Sequence, residues 1–209
     1  MELDFVNLLK EIINSNKELV KDYKLVGIFG SALEKDDPED FDFLTIGNDQ
    51  KHKNFLLILK HSIEKRGFEV IFFETIKKKP SKRGDNQILI HELHYSNIND
   101  FLEREWKSLV DYIKKKCLVL YGSKNEIPSL KIRERDIYLP LYEWIKNVKS
   151  KKEYSVFDYY LTKTIPFLYG FYPKLNLNNI FDRIVNILRE ESDWKSQKRK
   201  IEHIFLNNL

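Results

Sequence analysis

The chain has 209 residues, 42% hydrophobic, 13% aromatic and 33% charged, which excludes wholesale disorder because enough apolar side chain is present to fill a core. Lys and Arg outnumber Asp and Glu only by 36 to 32, too mild a surplus to mark a nucleic-acid binder by charge alone. The single cysteine, Cys117, excludes an internal disulfide framework and a cysteine-cluster zinc site, and no run approaches the ~20 apolar residues of a membrane span.

The acidic start, Met1-Glu2-Leu3-Asp4, lacks the basic and apolar regions of a secretory signal, so a cytoplasmic setting is expected. Phe5, Leu8, Leu9, Ile12 and Ile13 then recur at helical spacing. Residues 26–29 read as a strand ending at Gly30-Ser31, and residues 41–46 as a second strand ending at Gly47. Phe55, Leu59, Ser62 and Ile63 form a helical stripe that stops at Gly67, with His52 and His61 expected on solvent faces.

Strands are expected over 68–76, 88–95 and 118–121, with a Lys/Pro/Gly turn region over 77–85. Phe101, Leu102, Trp106, Leu109, Val110 and Ile113 make one more helical stripe, with Asn99 as its candidate cap. After Pro128 the strand signals stop. Residues 133–148, 156–169, 177–189 and 194–206 read as helices, with Ser192-Asp193 capping the last and Pro140 and Pro166 expected to kink or divide theirs. The expected architecture is α/β (α+β): a mixed-sheet domain over 1–127 followed by a helical bundle over 128–209.

One stretch carries chemistry. An apolar strand runs into Gly30-Ser31, and after a short acidic spacer a second strand opens Asp40-Phe41-Asp42-Phe43. Alternation puts Asp40 and Asp42 on one face and the two phenylalanines on the other. Two carboxylates one strand period apart make a hard oxygen site suited to Mg²⁺. The Gly-Ser turn leaves backbone N–H groups and a hydroxyl for phosphate oxygens. The competing reading is an ordinary turn followed by two solvated carboxylates.

The pattern Phe29-Gly30-Ser31 followed by Asp40-Phe41-Asp42-Phe43 resembles the DNA polymerase beta-like nucleotidyltransferase superfamily, in particular its small, minimal members. The resemblance implies a mixed-sheet nucleotidyltransferase core, NTP phosphates on Gly30 and Ser31, and two Mg²⁺ ions on Asp40 and Asp42 with the bound NTP. The helical C-terminal half is similar to the bundle that antibiotic nucleotidyltransferases append to this core. Two departures stand out: the spacer from Ser31 to Asp40 is short, and the strand after the helix offers Val70-Ile71 where a third carboxylate often stands.

The best replacement lies in 88–95, where polar residues interrupt an apolar strand. Such interruption is costly unless the groups are paired or face a cleft. Glu92 is the candidate third ligand or base, with His91 or His94 as alternative bases and Glu69 and Glu74 as weaker carboxylates. Alternation puts Glu92 and His94 on one face and His91 on the other. His52, His61 and His203 lack metal-ligand spacing, and Cys117 reads as core. The basic residues of 77–83, between the two strands nearest the expected site, are candidates to contact a triphosphate, pyrophosphate or RNA acceptor, the competing reading being a solvated loop.

The leading expectation is therefore a Mg²⁺-dependent transfer of NMP from an NTP such as ATP to a hydroxyl of a small molecule, protein or RNA end. The rivals are a catalytically silent nucleotide-binding or antitoxin-type partner protein, which the missing acid motivates, and, less strongly, an RNA binder. A protein partner or homodimer is compatible with each, and a membrane partner with none.

Overall fold

The computed structural model describes residues 2–33, 38–47, 49–74 and 84–209, with the side chains of residues 2–4 and 31 left aside. Strands β1 (Leu25–Phe29), β2 (Phe41–Ile46), β3 (Glu69–Phe73), β4 (Gln87–Tyr95) and β5 (Leu118–Gly122) form one mixed sheet in the order β3-β4-β2-β1-β5. β1 runs antiparallel to β2 and β5, whereas β4 is parallel to both β2 and β3. The central strands β1 and β2 are almost wholly buried, as near-continuous apolar runs covered on both faces require. The protein is α+β.

Helices α1 (Glu2–Ser15), α2 (Lys17–Val20) and α3 (Asp49–Glu64) precede and follow the first hairpin. Leu9 and Ile13 of α1 and Phe55, Leu59 and Ile63 of α3 are buried in one core with Phe41 and Phe43 of β2. Phe5 meets Phe41 at 4.4 Å between ring centroids, and Phe43 stacks with Phe55 at 6.2 Å. Gly67, at φ 89°, ends the turn after α3, where a left-handed residue favours glycine.

The stripe expected as one helix after β4 is two, α4 (Ile98–Arg104) and α5 (Lys107–Lys116). Glu105 between them is extended, at φ −102° and ψ 150°. Asn97, and not Asn99, caps α4: its side chain accepts from the Asp100 N–H at 3.1 Å. A polar residue two positions earlier thus takes the orphan N–H of the third helical residue.

The chain divides into two units. The first takes Met1–Glu105 and Leu109–Leu130, the second Trp106–Ser108 and Lys131–Leu209. The second is helical: α6 (Glu134–Lys146), α7 (Lys151–Phe171), α8 (Asn178–Glu190) and α9 (Trp194–Leu206). Their apolar faces meet around Phe157, Leu161, Phe181, Ile184, Ile201 and Phe205, all fully buried. Ser150 and Glu153 form a capping box at α7, and the Asp193 side chain caps α9. Neither Pro140 nor Pro166 divides its helix: extensive burial of the flanking turns offsets one missing backbone bond in each. No helix among the described residues is long and apolar enough to cross a membrane.

Candidate functional site

The sheet register lines up Phe29, Asp42, His91 and Phe73 in a single row across β1, β2, β4 and β3. Partners opposed in register share a face, so the Asp42 carboxylate and the His91 imidazole stand side by side. They are bonded: His91 Nδ1 lies 2.9 Å from Asp42 Oδ1. Phe73 stacks against the His91 ring at 5.1 Å and 9° between planes, fixing the plane in which the imidazole lies. Phe29 closes the other end of the row and meets Tyr112 of α5 edge-on at 6.3 Å.

The chain leaves β1 at Gly30, which has φ 84° and opens the single turn of 3₁₀ helix Gly30–Leu33. A Cβ at position 30 would collide with Asp42 Oδ2. The left-handed backbone angle favours glycine here, and the missing side chain leaves room for the Asp42 carboxylate to pack against the turn. One oxygen of Asp42 faces a backbone turn and the other faces an imidazole. Ser31 follows within that turn, and Asp40, partly exposed, stands one residue before β2.

Glu92 does not join this group. Its register partner is Phe43, so it lies on the opposite face of the sheet. There its Oε1 meets His52 Nε2 of α3 at 2.5 Å, and Nδ1 of the same ring meets the Tyr23 hydroxyl at 3.1 Å. The alternation that brings His91 to Asp42 necessarily turns its neighbour away. His94 shares the face of Glu92, bonded to Thr45 Oγ1 and Asp49 Oδ1 at 2.8 Å each and stacked on His52 at 3.7 Å.

His52 itself, expected on a solvent face, is 6% exposed, because it lies one turn ahead of Phe55 on the buried stripe of α3. Glu69 is exposed and accepts from the Gln87 side chain at 2.7 Å. Glu74 follows the end of β3 and is exposed. The basic region 77–83 lies outside the described residues.

One carboxylate escaped the sequence reading. Glu105, at the extended residue between α4 and α5, accepts from the Tyr95 hydroxyl at 2.5 Å. Tyr95 lies on the same face as His91, two pairs of strand residues along β4. Burial pushes the Glu105 carboxyl above its ordinary range, offset by the Tyr95 hydrogen bond and by the positive fields of Arg104 and His91. A carboxylate at the end of a helical stripe carries no signal of its own in sequence. It becomes visible only once α4 is seen to stop.

Among the described residues, no three His, Cys, Asp or Glu side chains gather closely enough to hold a metal ion unaided. What the row offers is a carboxylate and an imidazole beside a bare backbone turn. That set suits a cation whose remaining ligands come from a bound anion, since a phosphate-bearing ligand supplies oxygens of its own.

No family model and no curated protein matches the chain. Solved structures similar to it include that of spectinomycin adenyltransferase AAD(9) from Enterococcus faecialis with ATP and spectinomycin, at 14% identity and a TM-score of 0.47, over 97% of this chain and 98% of that one. So distant a likeness leaves the site to be argued from its own residues.

Proposed function

We propose that this protein is a nucleotidyltransferase that moves NMP from an NTP to a hydroxyl acceptor. The observation that carries the reading is the packing of Asp42 Oδ2 against the left-handed turn at Gly30. A phosphate-sized anion approaching the backbone N–H groups of Gly30 and Ser31 thereby meets the Asp42 carboxylate at once. Anion and carboxylate repel unless a cation lies between them, so the arrangement calls for a divalent ion shared by protein and nucleotide.

Asp40 and Asp42 would hold that ion, Mg²⁺ being the choice of two carboxylates and phosphate oxygens alone. When bound, it supplies charge neutralisation on the phosphates and on the departing pyrophosphate. The backbone of Gly30 and Ser31 orients the phosphates. An acceptor hydroxyl attacks the α-phosphorus in line: a new O–P bond forms, the bond to pyrophosphate breaks, and the hydroxyl proton leaves to water. Of the three polar candidates on β4, His91 alone shares the face of Asp42.

The test is pyrophosphate release from each of the four NTPs, with Mg²⁺, across aminoglycosides, protein hydroxyls and RNA 3′ ends. Transfer by the wild type that persists undiminished in Asp42→Asn would refute the assignment. A second reading, a silent nucleotide-binding partner protein, is favoured by the absence of a third acid beside Asp42 among the described residues. It anticipates an NTP-dependent rise in thermal midpoint, abolished by Asp42→Asn, without pyrophosphate release on any acceptor.

A further inference from the structure

We infer that His91 is a nitrogen ligand to the divalent cation held at Asp42, so that the site prefers the Mn²⁺ class of ions to Mg²⁺. The inference rests on the nucleotide site proposed above and specifies its metal. Its basis is the row itself. In an octahedral site with bonds of about 2.1 Å, adjacent donor atoms stand about 3 Å apart. Asp42 Oδ1 and His91 Nδ1 are 2.9 Å apart, the separation of two neighbouring corners of such an octahedron. An ion seated on both would take the place of the hydrogen bond between them without moving either strand.

Three features of the surroundings suit the imidazole to this role. The parallel register of β2 and β4 fixes Cα to Cα which residue stands beside Asp42. The Phe73 ring, stacked nearly parallel to the imidazole, holds the imidazole edge toward the carboxylate. Nε2 of His91 has no hydrogen-bond partner among the described residues, so the ring can carry its proton there and leave the Nδ1 lone pair for the ion. The histidines of the opposite face differ in this respect, since both nitrogens of His52 and of His94 are engaged.

The chemistry then sets the selectivity. Mg²⁺ is a hard ion that takes oxygen and sheds water reluctantly, whereas imidazole nitrogen suits Mn²⁺ and the later first-row ions. With one carboxylate position replaced by nitrogen and the phosphates supplying the remaining oxygens, Mn²⁺ gains where Mg²⁺ does not. The strand after α3 has Val70 and Ile71 where a carboxylate might stand, and the ligand arrives instead from the next strand, inserted between β3 and β2.

The decisive experiment reads the ion directly. The purified chain is loaded with Mn²⁺ and α,β-methylene-ATP, which cannot transfer its NMP, and ¹⁴N coupling to the manganese is recorded by pulsed electron paramagnetic resonance. Competition with Mg²⁺ is measured in parallel. The expected result is an imidazole coupling in the wild type that vanishes in His91→Gln. The Mn²⁺ preference of the complex should exceed that of the free analogue by about tenfold and return to the analogue's own value in His91→Asp. His91→Asp supplies a carboxylate in the same place and serves if His91→Gln does not fold.

Manganese bound with the analogue but showing no nitrogen coupling overturns the inference and leaves the nucleotide reading standing. So does a coupling that survives both substitutions, because it would belong to another histidine. If neither ion brings the analogue onto the protein, the nucleotide reading falls, and the ligand assignment with it.

Discussion

The two faces of the sheet at β2 and β4 carry the same chemical pair in opposite conditions. On one, Asp42 and His91 are bonded through one nitrogen and one oxygen, with Asp42 Oδ2 against a backbone turn and His91 Nε2 unengaged among the described residues. On the other, Glu92 bonds His52, His52 bonds Tyr23, and His94 is held between Thr45 and Asp49. That second network sits under α3, where a polar atom without a partner would be costly. The carboxylate–imidazole pair under α3 is closed on itself and glues two elements together, whereas the His91 ring keeps one nitrogen without a hydrogen-bond partner among the described residues.

The sharpest way to break this contrast is to neutralise one carboxylate on each face. Asp42→Asn should lower the proposed nucleotidyl transfer by about 10²-fold or more, the scale on which one electrostatic group acts at a reacting centre, with little change in thermal midpoint because Asp42 is partly exposed. Glu92→Ala should do the reverse. Its side chain is 11% exposed and that of His52 8%, and stranding the imidazole should destabilise by about 2 to 4 kcal/mol, read by urea denaturation. A Glu92→Ala protein of unaltered stability would mean that the network under α3 contributes nothing.

Acid should separate the faces next. Burial first, and the facing His52 second, hold the His94 imidazole below its ordinary range, against the opposing pull of Asp49 and Glu92. The unfolded chain therefore takes up a proton at a pH where the folded chain still resists it. Stability is full above the ordinary histidine value of about 6.5 and is lost as the pH falls below it toward the depressed folded value. The thermal midpoint should fall from pH 7.5 to pH 5, and His94→Gln should flatten the part of that slope due to this ring. An unchanged slope would remove His94 from the account.

What the amino-acid order disclosed follows from these same residues. The placing of Asp42 opposite to Phe43 was legible because period-two alternation is local. So was the buried stripe of α3, and continuing it one turn back from Phe55 reaches His52, whose polarity argued for the surface. The identity of Asp42's neighbour was not legible. Alternation shows that His91 and Glu92 face opposite ways, but which of them meets Asp42 depends on the register of β4 against β2, a pairing between segments some fifty residues apart. Nor does local pattern reveal that β4 inserts between β2 and β3, so the strand next in sequence to α3 is left at the edge. Glu105 was hidden by a helix break, since its stripe of apolar neighbours continues at helical spacing across the gap.

The smallest effect extends the comparison to the helical unit. Tyr154 of α7 is 3% exposed, and its hydroxyl is the buried side-chain polar atom left without a hydrogen-bond partner among the described residues. Its ring packs at 6.3 Å from Phe157 and 5.9 Å from Trp194, and burial pushes its phenol well above the usual range. If an unengaged valence marked function everywhere, this hydroxyl would be a site. It differs from His91 in having no hydrogen-bonded carboxylate and no bare backbone turn beside it among the described residues. The physical expectation is a plain desolvation cost, so Tyr154→Phe should leave stability unchanged or raise it by about 1 kcal/mol, and leave nucleotide binding untouched. Destabilisation by that substitution would show the hydroxyl to be satisfied by ordered water.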